Sequence, residues 1–199
     1  MRKRVETEHY SVDDYRQWEG DWELIDGVAY AMASSPASAM APSPAFAHQS
    51  IGGEIYAQLH QSLEDCPHCQ ALYEIDVEFA EDTVVRPEVL VICYQPENDR
   101  LTRAPDLVFE IVSGHDARAA RRGEVIKFQL YRDEGVGHYV LVYPESRKAK
   151  VYRLIEGDYR KVADFSGETH RFDLSKCSIE FDFSRLWRRK GDDIDNASA

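Results

Sequence analysis

Ala104-Pro105-Asp106-Leu107-Val108-Phe109-Glu110-Ile111-Val112 is apolar from Leu107 onward except at Glu110. An unbroken apolar run of this kind predicts a strand covered on both faces, in the middle of a sheet. The proline ahead of Asp106 suits a strand entrance. Side chains alternate with a period of two, so Asp106, Val108, Glu110 and Val112 share one face. On that parity Asp106 is expected to support Glu110 from the strand entrance.

Outward from this strand the pattern repeats. Val84 to Cys93 is a β-branched run interrupted by Pro87 and carrying Glu88. Tyr73 to Phe79 alternates, with Tyr73, Ile75, Val77 and Phe79 on one face and Glu74, Asp76 and Glu78 on the other. Ahead of them Ile51, Ile55, Leu59 and Leu63 recur at every fourth position, which predicts a helix over residues 48–63. Gly52 and Gly53 weaken its first turn by roughly 1 kcal/mol each and leave room for close packing on a sheet. Downstream, residues 118–134 predict a second helix with Val125, Ile126, Phe128 and Leu130 turned inward, ended by Gly135 and Gly137. His138 to Tyr143 is a further strand, stopped by Pro144. Asp26-Gly27 and Glu156-Gly157, each between strand-like runs, predict hairpins. Ser11 followed by Asp14 resembles a capping box opening a short helix through Trp18. Residues 33–47, rich in Ala, Ser and Pro, read as a loop.

Helix, three strands, helix, strand implies an α/β (α+β) fold: a mixed sheet with helices on its faces and added hairpins. The 199 residues suit one domain, expected over residues 1–190 with a polar, disordered tail over 191–199. A composition 43% hydrophobic and 30% charged is that of a globular protein able to bury a full core. No stretch approaches the roughly 20 apolar residues of a membrane-spanning helix. The N-terminus has basic residues but no apolar segment of the signal-peptide kind, so the cytoplasm is the expected compartment. There the four cysteines, Cys66, Cys69, Cys93 and Cys177, are expected as reduced thiols. Cys66-Pro-His-Cys69 has the spacing of half a zinc site, but no second such pair exists. It reads as a loop with two incidental thiols.

Glu88 and Glu110 are carboxylates set in otherwise apolar strands. A buried charge needs a partner, either a basic side chain or a metal ion. Arg86, Arg103 and Lys127 are the candidate basic partners. Two carboxylates from consecutive strands can instead converge on one divalent cation, which suits Mg²⁺. Lys127 follows Glu110 by 17 residues on the second helix and is placed to reach the same point. There it would stabilise developing charge on a phosphate or position the attacking water. The net charge of −12 opposes general affinity for nucleic acid. Arg118, Arg121 and Arg122, with Lys127, form the one basic cluster in the middle of the chain.

Five separated motifs, in order, resemble the Uma2 family (DUF820) of restriction-endonuclease-like proteins. They are Trp22-Glu23-Leu24-Ile25-Asp26-Gly27-Val28-Ala29-Tyr30, His48-Gln49, Val84-Val85-Arg86-Pro87-Glu88-Val89, Ala104 to Ser113, and Lys127-Phe128-Gln129-Leu130-Tyr131. The resemblance spans roughly residues 10–187. It implies the α-β-β-β-α-β core of the PD-(D/E)xK nuclease superfamily. It further implies Glu88 and Glu110 as metal-binding acids, Lys127 as the third catalytic residue moved onto the helix, and Mg²⁺ (or Mn²⁺) as cofactor. The implied activity is metal-dependent endonucleolytic hydrolysis of DNA, with a homodimer as a plausible assembly. Glu23 and His48 match motif positions and are further candidates for the same cleft. The family usually carries Asp where Glu88 stands, and a Tyr-Trp pair where this chain has Tyr139-Val140. Against the enzyme stands a second reading, a nuclease fold without activity serving as a binding or interaction module, in which Glu88 and Glu110 are members of structural ion pairs.

Overall fold

The computed structural model describes residues 8–32, 46–112 and 117–187. The predicted loop, apart from its last two residues, and the predicted tail lie outside them. Helix α1 (Val12–Tyr15) opens on the Ser11/Asp14 capping box and is shorter than expected, ending before Trp18. Strands β1 (Trp22–Ile25) and β2 (Val28–Ala31) form the first hairpin. Its two turn residues, Asp26 and Gly27, both have positive φ, the conformation that lets a two-residue turn follow the strand twist.

Helix α2 (Phe46–Ser62) follows, then β3 (Gln70–Tyr73), β4 (Val77–Ala80), β5 (Thr83–Val85), β6 (Val89–Ile92) and β7 (Leu107–Ile111). Helix α3 (Ala117–Asp133) leads to β8 (His138–Tyr143), β9 (Lys148–Ile155), β10 (Asp158–Phe165), β11 (Thr169–Asp173) and β12 (Ser178–Asp182). A 3-10 helix, Phe183–Trp187, closes the described chain.

A six-stranded sheet runs β10-β9-β8-β7-β6-β3. Its one parallel pair is β7 with β8, and α3 is the crossover that such a pair requires. Helix α2, strands β3, β6 and β7, helix α3 and strand β8 therefore form the α-β-β-β-α-β core. A second sheet, β2-β1-β5-β4, carries the first hairpin, and β11 and β12 pair alone.

Two expected strands are each divided. Tyr73 to Phe79 breaks at Glu74, which has positive φ. The break turns Tyr73 toward the α2 face of the sheet, while Ile75, Val77 and Phe79 join the α3 face. Val84 to Cys93 breaks at Arg86-Pro87-Glu88, so β5 pairs in the small sheet and β6 in the large one. Proline offers no N–H to a ladder, and that is where the chain changes sheets. Glu88 consequently occupies a bend just before β6, not a strand interior.

Strands β6 and β7 are buried throughout, as their apolar runs predict. Val89, Val91, Phe109 and Ile111 pack with Ile55, Leu59, Phe172 and Phe181 on the α2 face; Leu90, Ile92 and Val108 pack with Tyr131 and Tyr139 on the α3 face. Gly52 is buried, and a Cβ there would lie 3.0 Å from the Tyr73 hydroxyl, so the close approach of α2 to the sheet depends on it; at Gly53 nothing is near. The inward stripe of α3 is Glu124, Lys127, Phe128 and Tyr131, at helical spacing. Val125, expected inside, is 56% exposed because it lies one position off that stripe.

The cysteines are not the reduced thiols expected: the structure pairs them as Cys66–Cys177 and Cys69–Cys93. The turn after α2, the starts and ends of neighbouring β3 and β6, and the β11–β12 loop meet at one edge of the sheet and bring all four sulfurs together. No helix among the described residues is long and apolar enough to cross a membrane.

Candidate active site

Glu110 shares the strand parity of Val108, so it projects from β7 toward α3. Lys127 meets it there: its Nζ lies 2.9 Å from Glu110 Oε1 and 2.7 Å from Glu23 Oε1, contributed by β1. One helical turn later Tyr131 donates its hydroxyl to the same Glu110 Oε1 at 2.7 Å. Both contacts to Glu110 fall on Oε1, and Oε2 receives neither. Glu23 Oε1 also accepts the backbone N–H of Arg86 at 2.9 Å, which ties the first hairpin to the start of the Arg86-Pro87-Glu88 bend.

This cluster is almost dry. The side chains of Lys127, Glu23 and Glu110 are only 14%, 8% and 12% exposed. Burial pushes the Glu110 carboxyl up to about 7, against the opposing pull of the Lys127 ammonium; the charges of Glu23 and Glu88 add to the rise. Burial disfavours the Lys127 ammonium, but the Glu110 and Glu23 carboxylates outweigh it and raise its pKa. Lys127 therefore stays charged. It is not a surface lysine but the cation of the site.

Glu88 stands in the bend itself, close enough for its charge to act on Glu110. Glu88 Oε1 lies 3.0 Å from His48 Nε2, on α2. That hydrogen bond raises the His48 pKa, against the effect of burial. Glu88 Oε2 is buried and has no hydrogen-bond partner among the described residues. A carboxylate oxygen in that state is suited to a cation. Oxygen donors from Glu88 and Glu110 are of the hard type that Mg²⁺ and Mn²⁺ prefer, so the residues present fit such an ion.

The other expected partners are used elsewhere. Arg86 is held by Asp76 at 2.7 Å and Asp21 at 2.9 Å. Arg103 lies over the Tyr94 ring, 4.5 Å from its centroid. Asp106 does not reach Glu110; its carboxylate accepts the backbone N–H groups of Cys93 at 3.1 Å and Ser175 at 2.7 Å. The side chains of Arg118, Arg121 and Arg122 lie outside the described residues.

Glu110 and Lys127 thus meet in one cluster, Glu88 stands beside it in a separate pair, and Glu23 belongs to the centre, not the margin. Tyr131 closes one of the sequence motifs, but the sequence reading gave it no role in the site. Its signal was its position four residues after Lys127, which puts both on one helix face.

An α-β-β-β-α-β core with a buried Glu–Lys–Glu cluster at the junction of β7 and α3 defines a nuclease-like fold. The model of the Uma2 family, described as "Putative restriction endonuclease", matches residues 12–177, and the chain belongs to that family. A solved structure, a "putative nuclease belonging to DUF820" from Anabaena variabilis ATCC 29413, has a similar fold, with a TM-score of 0.67 and 16% identity over 89% of this chain and 97% of that one. No curated protein matches the chain.

Proposed function

We propose that this chain is a cytoplasmic metal-dependent endonuclease that hydrolyses phosphodiester bonds in DNA. The observation that carries the reading is the Lys127 ammonium held between Glu110 and Glu23, beside a Glu88 oxygen that has no hydrogen-bond partner among the described residues. Glu88 and Glu110 would hold Mg²⁺ or Mn²⁺. When bound, the ion supplies charge neutralisation at the phosphate and a more acidic water.

The chain's own residues do the rest. Glu110, fixed through Oε1 by Lys127 and Tyr131, keeps its other oxygen for the cation. Lys127, kept protonated by two carboxylates in a nearly dry site, donates to the phosphate as negative charge builds on it. Glu23 aims Lys127 and takes no part in ligation. His48 orients Glu88 by holding one of its oxygens.

Nicking of supercoiled plasmid in Mg²⁺ tests this reading. Wild type should nick, Glu110→Ala should fall to background, and Lys127→Ala should lose about 100-fold, the scale of losing one preorganised donor to a transition-state charge. No nicking by wild type, or equal nicking by Glu110→Ala, contradicts it.

A binding module without catalysis is the second reading. It is favoured by the net charge of −12 and by an ion cluster that already neutralises its own cation. It predicts no heat on titration with Mg²⁺ or Mn²⁺, where the enzyme reading predicts binding that Glu88→Ala abolishes.

A further inference from the structure

Four sulfurs from three distant parts of the chain converge at the edge of the large sheet, away from the Glu–Lys cluster. Cys66 ends the turn after α2, Cys69 precedes β3, Cys93 follows β6, and Cys177 lies in the β11–β12 loop. The pairs are separated by 111 and 24 residues in sequence. The two disulfides are not independent of each other. The Sγ atoms of Cys66, Cys69 and Cys177 lie within 4.8 Å of one another, Cys93 is bonded to Cys69, and Cys177 Sγ is 3.9 Å from Cys69 Sγ. Two structural disulfides have no need to touch. A four-ligand ion needs this convergence: zinc–sulfur bonds of about 2.3 Å in a tetrahedron put the sulfurs about 3.8 Å apart.

We propose that, in the reduced protein, Cys66, Cys69, Cys93 and Cys177 together hold one structural zinc ion. Four features suit it. Cys66-Pro-His-Cys69 forms a tight turn in which the Cys69 N–H donates to the Cys66 carbonyl at 3.0 Å. The pair spacing is that of structural zinc sites. Asp106 clamps the other two ligand segments, since its carboxylate accepts from Cys93 N–H and from Ser175 N–H, two residues before Cys177. Cys66, Cys69 and Cys93 are buried, so the ion would be closed off from water as a structural site requires.

The disulfides are the metal-free, oxidised state of the same four sulfurs. A water-soluble phosphine opens each one to two thiols and becomes the phosphine oxide with oxygen from water. The thiols then release their protons to solvent as the ion binds. In this fold the zinc would fasten the β11–β12 hairpin and the end of α2 to β3 and β6. Strand β6 carries Cys93 after its last residue and Glu88 before its first, so the ion would fix one end of a strand whose other end is in the candidate active site.

The test uses the full chain purified in phosphine and analysed for bound zinc, then stripped of metal and titrated with Co²⁺. The expected results are one zinc per chain and, with Co²⁺, an intense visible spectrum of tetrahedral type with near-ultraviolet sulfur-to-metal charge transfer. Cys177→Ser should weaken Co²⁺ binding at least about tenfold, since loss of even an outer-shell partner has that effect. Should Cys177→Ser fail to fold, Cys66→Ser replaces it, and the wild-type spectrum decides without either. A reduced wild type that takes up neither zinc nor Co²⁺ through sulfur overturns the proposal, as does a folded variant with unchanged spectrum and affinity.

Discussion

Replacing Lys127 by alanine would strand two buried carboxylates, Glu23 and Glu110, with no cation between them. Breaking a buried pair from one side is expected to cost about 3 kcal/mol. Lys127→Ala should lower the urea midpoint accordingly, and an unchanged midpoint would show that Lys127 does not bridge the two carboxylates. Tyr131→Phe removes a donor from Glu110 but leaves Lys127 in place. It should cost about 1.5 kcal/mol, the scale of a hydrogen bond to a charged group. His138 tests burial independently. Its ring is buried against Phe172, and that burial lowers its pKa. The unfolded chain protonates this side chain near pH 6.5. Its contribution to stability is therefore complete above about pH 6.5 and is lost as pH falls through the lower folded value. Melting temperatures across that range should fall with pH in wild type and fall less in His138→Leu.

Elements were legible wherever their cause was local. Both hairpins, the two long helices and the central strands follow from turn residues and from spacing that the chain carries in a few consecutive positions. The break at Glu74 and the change of sheets at Arg86-Pro87-Glu88 were not legible, because each is decided by which partner strand the segment meets. Strands β11 and β12 carried no periodic signal strong enough to read; their partner is the α2 face of the core, through Phe172 and Phe181. Glu110 stood out as a charge in an apolar strand and Lys127 by its place on the following helix, whereas Glu23 was marked only by its motif position and needed the β1–β5 pairing to bring it across. One element contact is open to a sharp test. At Gly137, just before β8, a Cβ would lie 2.9 Å from the backbone carbonyl oxygen of Asp106. That carbonyl accepts the His138 N–H, the bond that starts the parallel β7–β8 ladder. Gly137→Ala should cost about 2 kcal/mol, as overpacking of a fixed contact does. A chemical denaturation curve superimposing on wild type would show that β8 can move away freely.

Across the whole molecule, the large sheet separates two kinds of chemistry. One edge gathers sulfur, and the β7–α3 junction gathers carboxylates around one ammonium. The net charge of −12 sets a condition on any DNA complex: attraction must come from few local cations and from whatever metal the site holds, and the complex should be sensitive to salt. In the proposed enzyme Glu88 and Glu110, though held by different neighbours, share a divalent cation. A crystal soaked in Mn²⁺ and measured for anomalous scattering addresses it directly. The expected result is a peak between the carboxylates of Glu88 and Glu110, with Lys127 still bound to Glu23. Crystals that stay free of manganese there, with His48–Glu88 and Lys127–Glu110 both intact, would contradict it.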